Sequence, residues 1–189
     1  LTPTDWRISC YDGSADEHHA GLRFVESSLV AVTVPMGPEH IECWSAPHES
    51  QSEDLADPLW LEIKNQRARI ESQTIGSYLP QDLDYDCNGT VSFTKGCYTG
   101  QEIVARLHYR GTPKRRLHRA ETATPVVAGD TLFNAEGKTV GSIVNHCRKD
   151  QTHELLIELI PEAAVEPITL TGGHGELSRV TRCYDDSLS

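Results

Sequence analysis

The chain has 189 residues, 38% of them hydrophobic and 24% charged, with a formal net charge of −11. That length sustains a real core in one large domain or two small ones. No apolar run approaches the roughly 20 residues of a membrane-spanning helix, and the acidic balance argues against general nucleic-acid binding.

The charge is unevenly spread. Residues 95–120 carry a net +6, between −11 for residues 1–94 and −6 for residues 121–189. A basic island of this kind attracts an anionic ligand or partner, such as a polyglutamate or phosphate tail. The six cysteines (10, 43, 87, 97, 147 and 183) form no C-x-x-C pair and no zinc-finger spacing. They read as reduced thiols in a cytoplasmic compartment. The chain opens on leucine with no signal-peptide pattern, so a fragment of a longer protein is expected.

In chain order, Arg7–Tyr11, Gly21–Val25, Leu29–Val34 and Ile41–Trp44 are β-branched or alternating runs separated by turn clusters. They predict a small antiparallel sheet. Residues 46–58 form a polar connector, and Leu59–Ile63 reads as a further strand. Residues 64–88 are irregular, which points to a functional loop walling a pocket.

Residues 95–102, Lys-Gly-Cys-Tyr-Thr-Gly-Gln-Glu, then open a helix. Thr99 and Glu102 have the spacing of a capping box. Ile103 and Leu107 share a face, Gly111 supplies a left-handed stop, and Pro113 forbids continuation. Cys97 is placed just outside the N-terminus, where unpaired N–H groups, the helix dipole and nearby Lys95 favour a thiolate.

Beyond residue 113 the chain turns β-rich. Candidate strands are Arg115–Ala120, Asp130–Phe133, Thr139–Asn145, Glu154–Ile160, Ile168–Leu170 and Leu177–Cys183, with glycine-bearing turns between several of them. This spacing predicts a small, closed or nearly closed barrel. The expected fold is therefore α+β, with a first domain over residues 1–112 and a C-terminal β-barrel over 113–189.

The octapeptide, continued by Val104-Ala105-Arg106 and by Arg110-Gly111-x-x-Lys114-Arg115, resembles the signature of the YgfZ family. These are folate-binding proteins related in fold to the T-protein (aminomethyltransferase) of the glycine cleavage system. The resemblance runs from about residue 59 to the C-terminus. It implies that residues 1–112 are a truncated aminomethyltransferase-like folate-binding domain lacking the family's N-terminal portion.

It also implies tetrahydrofolate as cofactor, and a role supporting assembly or repair of iron–sulfur clusters and, through them, tRNA modification. The implied partners are iron–sulfur proteins or their assembly machinery, with no membrane and no direct nucleic-acid contact. Cys97 matches the family's required cysteine. Glu62, in Leu61-Glu62-Ile63, falls where relatives carry a strand carboxylate that pairs with the pterin ring, a job suited to a two-oxygen acceptor. Tyr78-Leu79-Pro80-Gln81 resembles the family's Phe-Ile-Pro-Gln segment, whereas the Gly-Ile-Pro turn after the glutamate is replaced by Asn65-Gln66-Arg67.

The candidate site is thus Cys97 as the reactive group, with Glu62, Lys95, Tyr98, Gln101 and Arg106 as folate contacts. Lys114-Arg115-Arg116 and Arg119 are expected to alternate across the first barrel strand, with one face in solvent, rather than to form a nucleic-acid patch. No interleaved aromatics accompany them. Two other functions stand beside the accessory role: a folate-dependent aminomethyltransferase, and a non-enzymatic module that docks a partner through residues 95–120.

Overall fold

The computed structural model describes residues 7–12, 21–25, 28–37, 40–45, 58–96, 99–171 and 175–184, the first four stretches by backbone alone. The chain divides into two compact units, Leu1–Asn65 and Gln66–Ser189. The sequence-based boundary at 112–113 falls inside the second unit.

In the first unit, β1 (Arg7–Asp12), β2 (Gly21–Val25), β3 (Ser28–Gly37) and β4 (His40–Ser45) form an antiparallel sheet in the order β1-β4-β3-β2. All four runs expected from alternation are strands here. The polar connector at 46–57 lies outside the described residues.

Leu59–Ile63 is not a strand. Pro58–Lys64 is a helix, α1. Proline suits a first helical turn, where its missing N–H costs nothing. The end is fixed by Asn65, whose backbone N and Nδ2 both lie 2.9 Å from the Leu61 carbonyl. Glu62 therefore rides the last turn of a helix and not a pterin-facing strand.

The second unit is a curled antiparallel half-barrel. Its strands are β5 (Arg116–Thr122), β6 (Thr131–Phe133), β7 (Thr139–Lys149), β8 (Thr152–Leu159), β9 (Thr169–Leu170) and β10 (Ser178–Arg182). The sheet order is β10-β5-β8-β7-β6-β9. A single bridge between Thr169 and Glu176 ties β9 to the residues that lead into β10, bringing the two ends of the sheet together. The core is an aliphatic cluster that includes Leu132, Ile143, Leu155, Ile157, Leu159 and Ile168, each fully buried. The β5–β8 register pairs Arg116 with Leu159 and His118 with Ile157.

The irregular stretch before the octapeptide is an ordered cover over the outside of this sheet. A register shift between Ile143 and Asn145 turns Asn145 outward. Asn145 accepts from the Arg69 amide at 2.8 Å and donates to the Arg69 carbonyl at 2.9 Å and to Glu71 at 2.8 Å. The Tyr78 hydroxyl donates to the Ile143 carbonyl at 3.2 Å and lies 3.1 Å from the Ser142 hydroxyl. With the core on one face and this cover on the other, β8 loses its alternation, and all of Leu155–Leu159 is buried.

Helix α2 (Gln101–Arg110) forms where the octapeptide predicts it, with different ends. The N-cap is Gly100, left-handed at φ 89°, with no side-chain cap. A backbone turn that glycine adopts without penalty replaces the Thr99–Glu102 capping box, and the shift moves Glu102 out of the third helical position. Gly111 is extended, at φ −135°, instead of left-handed. It is glycine for closeness: a side chain there would meet Leu107 Cδ1 at 2.9 Å and the Leu107 carbonyl at 3.3 Å. Val104, not Ile103, is the buried residue of α2.

Candidate functional site

The second unit brings together a buried charge cluster and an adjoining cleft. The cluster begins with the acidic alternation Asp82, Asp84, Asp86 in the covering loop. Pro80–Leu83 is one turn of 3-10 helix, closed by Asp84 in a left-handed conformation at φ 52°. That turn sends Asp84 inward, fully buried, and sets Asp86 beside it.

Arg116 at the start of β5 is 6% exposed. Its Nη1 donates to Asp84 at 3.2 Å and to both oxygens of Asp86 at 3.0 and 3.1 Å, and lies 3.4 Å from the Gln81 carbonyl. Arg182 of β10 closes the group from the far side, 2.8 Å from Asp84 Oδ2. Arg116 is thus not on a solvated strand face, because the covering loop buries both faces of β5 at this end.

Burial pushes the Asp84 carboxyl up to about 6, against the opposing pull of Arg182 and Arg116. Burial likewise pushes the Cys87 thiol up to about 11, with Asp86 adding to it. Ligand atoms of Asp84, Asp86 and Cys87 lie within 4.8 Å of one another, but the Arg116 guanidinium stands among them and Cys87 Sγ is 3.7 Å from its Nη1. A cation already occupies the place a metal would take, and a protonated thiol is a poor ligand. The cluster clamps the loop onto the sheet.

Beside it opens a cleft of about 940 Å³. Leu107, Pro113, Ile160 and Pro161 give apolar walls; His108, Lys114, Asp86 and Glu162 give polar edges. Arg115 also lines it, with its Nη1 held 2.9 Å from buried Glu158. The helix that bounds this cleft is anchored twice. Buried Gln81 donates from Nε2 to the Val104 carbonyl at 2.7 Å, and the Phe93 ring stacks on His108 at 3.6 Å with planes 6° apart.

The sequence-predicted residues are dispersed. Cys97 and Tyr98 lie outside the described residues. Glu62 belongs to the other compact unit. Lys95 and Arg106 are exposed and Gln101, the first residue of α2, is half-buried; none of the three lines the cleft. Sequence reasoning missed Asp84, Asp86 and Arg182. The signal available was the i, i+2 acidic triplet at 82–86 set against the basic triplet at 114–116.

No family model matches the chain. Curated proteins do. It is 34% identical over 104 residues to the tRNA-modifying protein YgfZ of Aliivibrio fischeri, covering 52% of this chain and 33% of that one. It is 34% identical over 124 residues to the protein of the same name in Klebsiella pneumoniae, covering 63% and 38%. Against that of Edwardsiella ictaluri it is 45% identical over 64 residues, covering 34% and 19%. Over these stretches the chain is similar to proteins of the YgfZ family. Its matches span between 19% and 38% of the length of these YgfZ relatives. No helix among the described residues is long and apolar enough to cross a membrane.

Proposed function

We propose that this chain is the cysteine-bearing part of an accessory protein for tRNA modification, one that binds tetrahydrofolate and sustains the iron–sulfur enzymes of that chemistry. The observation that carries this reading is the identity to proteins named tRNA-modifying protein YgfZ. Within it, Cys97 is the essential group. Its neighbours in sequence support a thiolate there: Lys95 two residues before, and the start of α2 four residues after. By contrast, Cys87 and Cys183 are held protonated by burial.

Tetrahydrofolate is a carrier of one-carbon units. The cleft suits it in kind, with apolar walls for a flat heterocycle, the Glu162 carboxylate for an aminopyrimidine edge and Lys114 for an anionic tail.

The test is complementation of cells lacking the protein. The parent protein carrying Cys97→Ala should fail to restore thiomethylated tRNA, measured by mass spectrometry of digested tRNA, while Cys87→Ala should restore it. Full restoration by Cys97→Ala would overturn the reading. Calorimetric titration with tetrahydrofolate tests the ligand, with weaker binding expected for Lys114→Glu.

A further inference from the structure

We propose that the solvent-facing side of α2, together with Lys95, is a docking face for single-stranded RNA. Counted at 3.6 residues per turn, Glu102, Ile103, Arg106, Tyr109 and Arg110 fall within an arc of about 120°. These five are the exposed residues of α2. Ile103 is 64% exposed and Tyr109 68%. The opposite side carries Val104, buried, and Leu107 and His108, half-buried.

Six of the seven cations of the basic island split into two sets, and the seventh, Lys114, lines the cleft. Arg115, Arg116 and Arg119 are matched to Glu158, to Asp84 and Asp86, and to Glu154. Lys95, Arg106 and Arg110 are exposed and have no carboxylate partner among the described residues. Glu102 precedes Arg106 by one turn without pairing to it. Arg106 and Arg110 therefore share the exposed side of α2, and Lys95 follows by two residues the Phe93 ring that stacks on this helix.

Charge alone would fit any polyanion. Tyr109 selects among them. Its ring stands edge-on to His108, with centroids 4.8 Å apart at 76°, and to Phe93, 6.2 Å apart at 71°. Two neighbouring rings thus hold an exposed phenol in one orientation, so little rotamer freedom remains to be lost when a base stacks on it. Unpaired bases stack on such rings, while cations alongside follow the phosphates. The sequence alone shows no aromatic interleaving near Lys114–Arg119; the fold instead groups aromatic rings at α2, by bringing Phe93 to His108 and Tyr109. The proposal rests on the tRNA-modification reading for its choice of RNA.

The experiment is fluorescence anisotropy of a labelled RNA stem–loop, with the fully paired duplex of matching stem sequence as comparison, across a salt series. Three phosphate contacts give a log–log salt slope of about −2. The double variant Arg106→Ala/Arg110→Ala should reduce its magnitude by about 1.4, and Arg119→Ala should leave it unchanged. Tyr109→Ala should weaken stem–loop binding about five-fold or more, Tyr109→Phe should retain it, and the duplex should be insensitive to both.

An unchanged slope in the double variant, an indifferent Tyr109→Ala, or polyglutamate competing as well as RNA would overturn the proposal. Failure of the unsubstituted protein to bind the stem–loop, with Cys97→Ala still inactive, would sink the docking face alone. Restoration by Cys97→Ala with the isotherms intact would sink the functional reading alone.

Discussion

Replacing Arg116 with methionine removes the cation from the buried cluster while keeping most of the side chain's length. One nitrogen of Arg116 satisfies Asp84 and both oxygens of Asp86 within 3.2 Å. Breaking a buried ion pair from one side costs about 3–5 kcal/mol. Arg182 stays 2.8 Å from Asp84, so Asp86 bears most of the loss and the lower end, about 3 kcal/mol at pH 7, is expected.

The pH dependence has a definite sign. Asp84 sits at about 6 when folded, against an ordinary 3.8. As pH falls through 6 the folded state takes up a proton that the unfolded state does not take until near 4. Stability from this group is therefore present at low pH and lost as pH rises through 6. Without Arg116 the Asp84 carboxyl is harder still to ionise, so the deficit of the variant should be larger at pH 7 than at pH 5.

The assay is urea denaturation followed by far-ultraviolet circular dichroism. Tryptophan fluorescence is the wrong probe, because Trp6, Trp44 and Trp60 all belong to the Leu1–Asn65 unit. A loss below about 1 kcal/mol, the range of exposed pairs, or a deficit that grows toward pH 5, would refute the reasoning.

Gln81→Leu should cost about 1–3 kcal/mol by leaving the buried Val104 carbonyl without the Gln81 donor. Hydrogen exchange should quicken in α2 while the β5, β7 and β8 amides keep their protection. Cys87 and Cys183, pushed by burial to about 11 and about 12, should resist iodoacetamide at pH 8 in the folded protein and react in urea. Peptide mass spectrometry reads this, and rapid native labelling at either position would contradict it.

The barrel strands were legible because each has hydrophobic residues at strand spacing and most are bounded by glycine-bearing turns; β5 to β10 lie within a few residues of their expected places. Leu59–Ile63 was not, since a short apolar run has no period to separate strand from helix, and Pro58 was the informative residue. At α2 the existence of a helix was legible and its cap was not. Thr99 and Glu102 had the right spacing, but Gly100 offered a left-handed turn that competes with side-chain capping.

Least legible was the arrangement around Arg116. Its acidic partners come from a loop about 30 residues upstream and its fellow arginine from β10, and periodicity says nothing about such meetings. The same holds for the aromatic group at α2, where Phe93 reaches His108 only through the path of an irregular loop.

The Phe93–His108 stack has a consequence for how α2 can move. Phe93 belongs to the irregular segment before the helix, and its ring lies 3.6 Å from that of His108 with planes 6° apart. Gln81, from the same covering segment, holds the Val104 carbonyl at 2.7 Å. A swing of α2 away from this segment would part the rings and leave a buried carbonyl without that donor. Helix and cover therefore shift together or stay put.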